Sequence, residues 1–389
     1  MQMKVDSNTI PKGLENVGAT CYMNAVLQCF YHVKILTNEL LPLLTNMPMT
    51  SAYKDAIYQL SSNSNTPAKP LAFKNVISIN PLFRGIQAND SKDLILYFLE
   101  NIENELTIQN FFCQNPKYIN RIRYMKNIED PSLMNIINVF QNTHKSIISD
   151  LFYGFRKQLI ECSSCNQTLI NYQIFNLLIF PIEVVYNSKK NNSWEQKNNS
   201  FGRRKQYTTS QDYGYFYSGN FLDGYSGASK SHIYNNNYYS KSGEKRVTLD
   251  DCFENEINDT DFKGENQIFC NNCRKMCNAK GISKIYSSPF ILILVLNRGK
   301  GNEFDCDVDF REILNIKKYV DNNDCPVEYE LIGVISHLGE SSMSGHFIAD
   351  CKHFDGKWYS FNDSSVTLTN KYIKKGVPYI LFYQYTGLQ

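Results

Sequence analysis

One change of rhythm, at about Leu151, constrains this chain more than any other feature. Before it, apolar residues recur at helical spacing. Met23, Val26 or Leu27, and Phe30 mark a buried helix across Gly18–Val33, opened by a turn at Gly18-Ala19-Thr20. Leu94, Tyr97, Phe98, Ile102 and Leu106 form the apolar face of a second helix, from about Asp90 to Leu106, with Asn89 or Asp90 to cap it. After Leu151 the residues read as strands. Leu151–Glu161 alternates loosely, and Phe290–Leu296 is a continuous apolar run, as in a strand covered on both faces. Tyr329–His337, His346–His353, Lys357–Phe361 and Tyr379–Tyr385 follow, with breaks at Gly345, Gly356 and Asn362-Asp363. Helices first and strands later predict an α+β fold rather than alternating βα units.

The stretch 186–246 fits neither rhythm. It is rich in Asn, Ser, Gly and Tyr, has almost no aliphatic residues, and is expected to be a disordered insertion. The other reading is that its tyrosines form an interaction surface. A length of 389 residues allows one large domain or two smaller ones. The formal net charge of +2 calls for neither nucleic acid nor a membrane surface. Met1–Gly13 is polar, without the apolar core of a secretory signal, and Phe290–Leu296 is too short to span a bilayer. These features predict a soluble intracellular protein, cytoplasmic or nuclear by default. The 12 cysteines are then not a disulfide framework, and divide among catalysis, metal binding and packing.

Cys21 is the most informative of them. It opens a helix after a glycine-containing turn, where free backbone N–H groups and the helix dipole favour a thiolate. Helix position alone is equally the mark of a core cysteine. The surrounding string, Gly13-Leu14-Glu15-Asn16-Val17-Gly18-Ala19-Thr20-Cys21-Tyr22-Met23-Asn24-Ala25-Val26-Leu27-Gln28, resembles the cysteine box of the ubiquitin-specific protease family nearly position for position. The resemblance implies that Cys21 is the nucleophile and that Asn16 donates a side-chain hydrogen bond to the tetrahedral oxyanion.

A cysteine nucleophile needs a base, and the base must be oriented. Of the six histidines, His32 lies too far along the Cys21 helix, and His144 and His232 sit in uninformative contexts. His337, His346 and His353 remain. Tyr329–Gly339, then Ser344-Gly345-His346-Phe347, then Lys357–Ser364 look like the same family's histidine box. There the histidine after the glycine, His346, is implied to be the general base, and Asn362 to orient it. Asp363, next door, would polarise the ring directly or support the oxyanion site. His337 is implied to shape the substrate channel, and the small-residue loop Gly339–Gly345 to gate it.

Cys162-Ser163-Ser164-Cys165 and Cys270-Asn271-Asn272-Cys273 are two C-x-x-C pairs, each able to bite one edge of a zinc tetrahedron. The insertion accounts for much of their wide separation. In the family such pairs clamp the tip of a β "fingers" subdomain that holds ubiquitin, although some members keep the cysteines without zinc. Cys277 reads as a packing residue or a spare ligand. Asp90 and Asp93 align with the acidic pair that meets the arginine-bearing tail of ubiquitin, and equally suit a helix N-terminus. The sequence departs from the family at Ala88-Asn89, where glutamine-type residues are usual, at Asp93 for the commoner glutamate, and at Arg298-Gly299, where an aromatic usually follows the arginine.

The resemblance runs from Gly13 to about Tyr385, apart from 186–246 and Gln109–Thr143. It implies a papain-like fold, with a helical thumb over about 10–150 and β fingers and mixed palm over 151–385, in a single catalytic domain. The implied activity is thiol-dependent hydrolysis at the C-terminal glycine of ubiquitin, with structural zinc and no catalytic cofactor. Ubiquitin and ubiquitinated proteins are the implied partners. The rival readings are a catalytically silent ubiquitin-binding scaffold and a protease for another ubiquitin-like modifier.

Overall fold

The computed structural model describes residues 4–112, 130–198, 245–257, 260–299, 304–322, 325–339, 345–369 and 371–388. The amino-terminal part is helical, with α1 (Cys21–Tyr31), α2 (Lys34–Leu40), α3 (Pro48–Ser61), α4 (Leu71–Ile77), α5 (Ser91–Ile108), α6 (Pro131–Thr143) and α7 (Ile147–Phe152). Every residue of α1 is buried. A helix with no solvent face belongs at the centre of a core, and α1 lies between the other helices and the main sheet. Phe30 bridges the two layers, its ring 4.8 Å from Phe98 of α5 and 5.4 Å from Phe382 of the sheet. The second predicted helix is α5, and Asp90 is its cap, accepting the Lys92 N–H at 2.8 Å.

Strands then follow: β1 (Gly154–Cys162), β2 (Thr168–Phe175), β3 (Leu178–Pro181), α8 (Ile182–Asn198), β4 (Arg246–Thr248), α9 (Leu249–Ile257), β5 (Thr260–Phe262), β6 (Ile268–Cys270), β7 (Lys275–Cys277) and β8 (Ala279–Ser287). The last group is β9 (Ile291–Asn297), β10 (Asp307–Asp309), β11 (Ile313–Asn315), β12 (Glu328–Leu338), β13 (His346–Lys352), β14 (Trp358–Asn362), β15 (Ser365–Leu368) and β16 (Val377–Tyr385). The main sheet runs β15-β14-β13-β12-β16-β9-β3, with β11 beside β12. A smaller sheet runs β2-β1-β8-β5, and β6 pairs with β7 at its far end. Strand β9 shows why its sequence is apolar throughout. Ile291, Ile293 and Val295 face the core shared with α1, whereas Leu292, Leu294 and Leu296 face a second core on the opposite side.

Two sequence expectations need correction. Leu151 and Phe152 belong to α7, and the strand begins only at Gly154. A capping box at Ser146 and Ser149 starts α7, and the burial of Leu151 and Phe152 overrides their strand-like pattern. The region 186–246 is not irregular from its first residue, because α8 continues to Asn198. Its first two turns are held by tertiary packing: Ile182 and Val185 are buried in the second core, the Tyr186 ring lies 5.9 Å from Phe304, and Lys189 pairs with Asp251 at 2.7 Å. At the other end, Arg246 already belongs to β4, parallel to β10. The remainder of the expected insertion, 199–244, lies outside the described residues, as do 340–344 of the expected gating loop. No helix among the described residues is long and apolar enough to cross a membrane.

Asp350 of β13 is 1% exposed with no hydrogen-bond partner on either carboxylate oxygen, and burial pushes its carboxyl up to about 6 despite the Lys375 charge. The native state therefore binds this proton more tightly than the unfolded chain. Its contribution to stability falls as pH rises from about 4 through about 6, and stays low above. Asp350→Asn is expected to raise stability at pH 7.5 by roughly 2–3 kcal/mol, a gain that shrinks towards pH 4. Thermal unfolding at the two pH values checks this.

Candidate active site

The site is assembled where the start of the chain meets its last third. Gly13 lies so close to Asp363 that a Cβ there would stand 2.5 Å from the Asp363 carbonyl oxygen. The glycine lets Leu14 N–H donate to that carbonyl at 2.9 Å, seaming the two segments together. Ala19 then takes φ +46°, a left-handed conformation costing on the order of 1 kcal/mol in a non-glycine residue, and the chain turns into α1. Thr20 precedes the helix without capping it. Its hydroxyl instead accepts from Val17 N–H at 3.0 Å. The first-turn N–H groups, Cys21's included, thus receive no bond from the cap side chain.

Asn16 is fixed from both ends of its amide. Its Oδ1 accepts from the backbone N–H of Thr20 at 3.0 Å and of Gly18 at 3.2 Å. Its Nδ2 donates to Asp363 Oδ2 at 2.8 Å, which leaves one amide hydrogen on an otherwise exposed side chain. The other carboxylate oxygen of Asp363 accepts from Asn24 Nδ2 at 2.7 Å. Asn24 is a buried residue that the sequence reading passed over. Its spacing, i+3 from Cys21 on the same helix, was the available signal.

His346 opens β13 and Asn362 closes β14, so one antiparallel hairpin carries both. His346 Nε2 lies 2.6 Å from Asn362 Oδ1, a bond in which the ring N–H donates to the amide oxygen. With Nε2 committed there, Nδ1 is the nitrogen left for the thiol. Hydrogen bonding to Cys21 is the largest influence on His346 and, with Cys21's charge and Asn362, carries its ring up to about 9 against the opposing effect of burial. Asp363 stands farther off, 3.8 Å from Nε2, with its oxygens held by Asn16 and Asn24.

His337, on β12, is 2% exposed and lies directly under the residue before His346. A Cβ on Gly345 would stand 1.8 Å from its Nε2, so only glycine fits. Burial, then the neighbouring His346, lower its affinity for a proton. His353 is engaged elsewhere, with Nδ1 at 2.9 Å from His32 Nε2 and Nε2 at 2.8 Å from the Thr9 carbonyl. This buried pair across the far end of α1 had no sequence signal. His232 lies outside the described residues. Asp90 caps α5 and Asp93 lies in its first turn, 3.3 Å from Lys92.

The four cysteines of the C-x-x-C pairs come together at the far end of the smaller sheet, their sulfurs all within 4.8 Å of one another. Cys165 and Cys270 are 3.6 Å apart. Four thiolates about 2.3 Å from one zinc ion would be about 3.8 Å from each other, so the cluster fits a tetrahedral metal site. Cys277 packs beside it, buried.

A thiol at the start of a buried helix, beside an imidazole from a sheet hairpin that an amide orients, is a papain-like arrangement. The model of the ubiquitin carboxyl-terminal hydrolase family matches residues 12–383, and the chain belongs to that family. Relatives include ubiquitin carboxyl-terminal hydrolase 10 of Saccharomyces cerevisiae, 24% identical over 97% of this chain and 47% of its own length. Another is ubiquitin carboxyl-terminal hydrolase 2 of Homo sapiens, 23% identical over 96% of this chain and 54% of its own. A third is ubiquitin carboxyl-terminal hydrolase 17-like protein D of Mus musculus, 24% identical over 97% and 55%. The chain spans about half the length of these relatives.

Proposed function

We propose that this chain is a thiol-dependent deubiquitinase that hydrolyses the isopeptide or peptide bond at the C-terminal glycine of ubiquitin. The observation that carries this reading is His346, held by Asn362 at 2.6 Å and near enough to Cys21 that this thiol is the largest influence on its ring. His346 takes the thiol proton, and the thiolate attacks the glycine carbonyl. The remaining Asn16 amide hydrogen and the Cys21 backbone N–H hold the oxyanion. His346 then protonates the leaving amine, and water hydrolyses the thioester. Asp363 serves by aiming Asn16 rather than by touching the ring. Asp90 and Asp93 form the acidic side of the tail channel, and His337 shapes that channel from below by supporting Gly345.

The whole chain is read as one catalytic domain, with about 10–150 as thumb and 151–385 as fingers and palm. Zinc held by Cys162, Cys165, Cys270 and Cys273 would fix the fingertip and takes no part in bond cleavage. Ubiquitin and ubiquitinated proteins are the proposed partners, in cytoplasm or nucleus.

A ubiquitin bearing a C-terminal electrophile tests the reading. One covalent adduct at Cys21 is expected, and stripping the metal with a chelator is expected to slow its formation through loss of ubiquitin binding. Unmodified Cys21 after prolonged exposure to the probe would rule the reading out. Parallel probes built on other ubiquitin-like modifiers should react more slowly.

A further inference from the structure

Asp90 caps α5 and Asp93 lies in its first turn, yet their surroundings differ. The Asp93 side chain is 39% exposed beside Lys92. The Asp90 carboxylate is occupied from within the protein. Lys92 N–H donates to its Oδ1 at 2.8 Å, and the Tyr379 hydroxyl lies 2.9 Å from both oxygens. Tyr379 belongs to β16 in the main sheet and is 6% exposed, so this is a hydroxyl buried against a carboxylate contributed by the helical layer. A hydrogen bond with an ionised acceptor is about twice as strong as a neutral one, and shielding from water strengthens it further. Burial and then the Asp93 charge push the Asp90 carboxyl up, while burial also holds the Tyr379 hydroxyl in its protonated, donating form.

The contact leads on towards the reacting groups. The Tyr379 ring lies 6.2 Å from that of Phe347, the residue after His346, and Phe347 lies 4.9 Å from His337. The hydroxyl thus ties the start of α5 to β16, whose Tyr379 ring packs on Phe347 of β13, the strand that carries the imidazole. We propose that Tyr379 is a positioning residue: its hydroxyl pins the cap of α5 to β16 and fixes the spacing of the two layers beside the ubiquitin tail. On this assignment Asp90 is chiefly the anchor of the pin, and Asp93, the more exposed of the two, supplies the carboxylate for a basic tail. This deepens the deubiquitinase reading and rests on it.

The test compares Tyr379→Phe, Asp90→Ala, Asp90→Asn and Asp93→Asn with the parent chain in cleavage of fluorogenic ubiquitin. Alkylation of Cys21 by iodoacetamide, which needs no tail contact, is the second readout. Loss of a hydrogen bond to a charged group predicts a KM raised about tenfold or more in Tyr379→Phe and Asp90→Ala, with kcat little changed. Asp90→Asn keeps an acceptor oxygen for both donors and is expected to raise KM by less than about threefold. Asp93→Asn is expected to raise it as much as the first two. Asp90→Asn as damaging as Asp90→Ala, with Tyr379→Phe neutral, would overturn the pin in favour of direct charge contact. A parallel fall in alkylation in Tyr379→Phe would overturn it as general disruption. If the parent alkylates but leaves ubiquitin uncut, the deubiquitinase reading fails by itself. The pin is then judged by thermal unfolding, where Tyr379→Phe and Asp90→Ala must be non-additive.

Discussion

Cys21→Ala should abolish cleavage of fluorogenic ubiquitin while binding ubiquitin as tightly as the parent chain. On the proposed mechanism the sulfur is the atom that bonds to substrate, and Cys21 is the cysteine that acts on the His346 ring. Removing a nucleophile that works as a unit with its base costs on the order of 10⁴–10⁶ in kcat. Binding should survive, because the acidic turn of α5 and the smaller sheet do not depend on the thiol. Steady-state turnover and fluorescence anisotropy measure the two quantities separately, and retained hydrolysis would end the mechanism. The same variant reports on the imidazole. Cys21 is the main reason the His346 ring is carried up to about 9. The wild-type ring should remain protonated up to about that pH, whereas in Cys21→Ala it should lose its proton at a lower one. A histidine NMR titration reads this directly, and an unmoved His346 signal would mean that the contact does not exist in solution.

Asn16→Ala is expected to lower kcat by about 10²–10³ with little change in KM, the usual cost of one oxyanion donor. The size of the effect comes from preorganisation. Thr20 and Gly18 N–H hold the amide oxygen, and Asp363 holds one amide hydrogen. The remaining hydrogen therefore points without any reordering when charge develops on the substrate. Asn16→Asp makes a sharper test. It keeps the acceptor for Thr20 but loses the donor and sets one carboxylate against another, so it should be worse than alanine. A kcat within about threefold of the parent in Asn16→Ala would remove Asn16 from the oxyanion site.

The cysteine and histidine boxes were legible because each is a long local string with a fixed register. The same holds for α1 and α5, whose periodicity spans several turns, and for β9, whose unbroken apolar run matches two flanking cores. What the sequence left open depended on contacts between distant segments. Which oxygen of Asp363 meets which amide could not be read from two adjacent polar residues, nor could the pairing of His32 with His353. Tyr379 looked like any tyrosine at a strand end, and its partner lies in another layer. Leu151–Glu161 does contain a strand, β1, but its first residues were misplaced for the opposite reason: a short apolar run has no decisive period, and the capping box at Ser146 put Leu151 and Phe152 in a helix. The edges of 186–246 failed because composition averages over a stretch and misses the few residues that pack.

The seam between Gly13 and Asp363 has a consequence for timing during synthesis. A chain leaving the ribosome amino-terminus first presents Cys21 long before His346, its proposed base, and Asp363, the partner of Asn16, have emerged. The nascent protein therefore carries an exposed thiol without a working centre. On the proposed mechanism the centre is complete only once the strands that carry His346, Asn362 and Asp363 have joined the sheet.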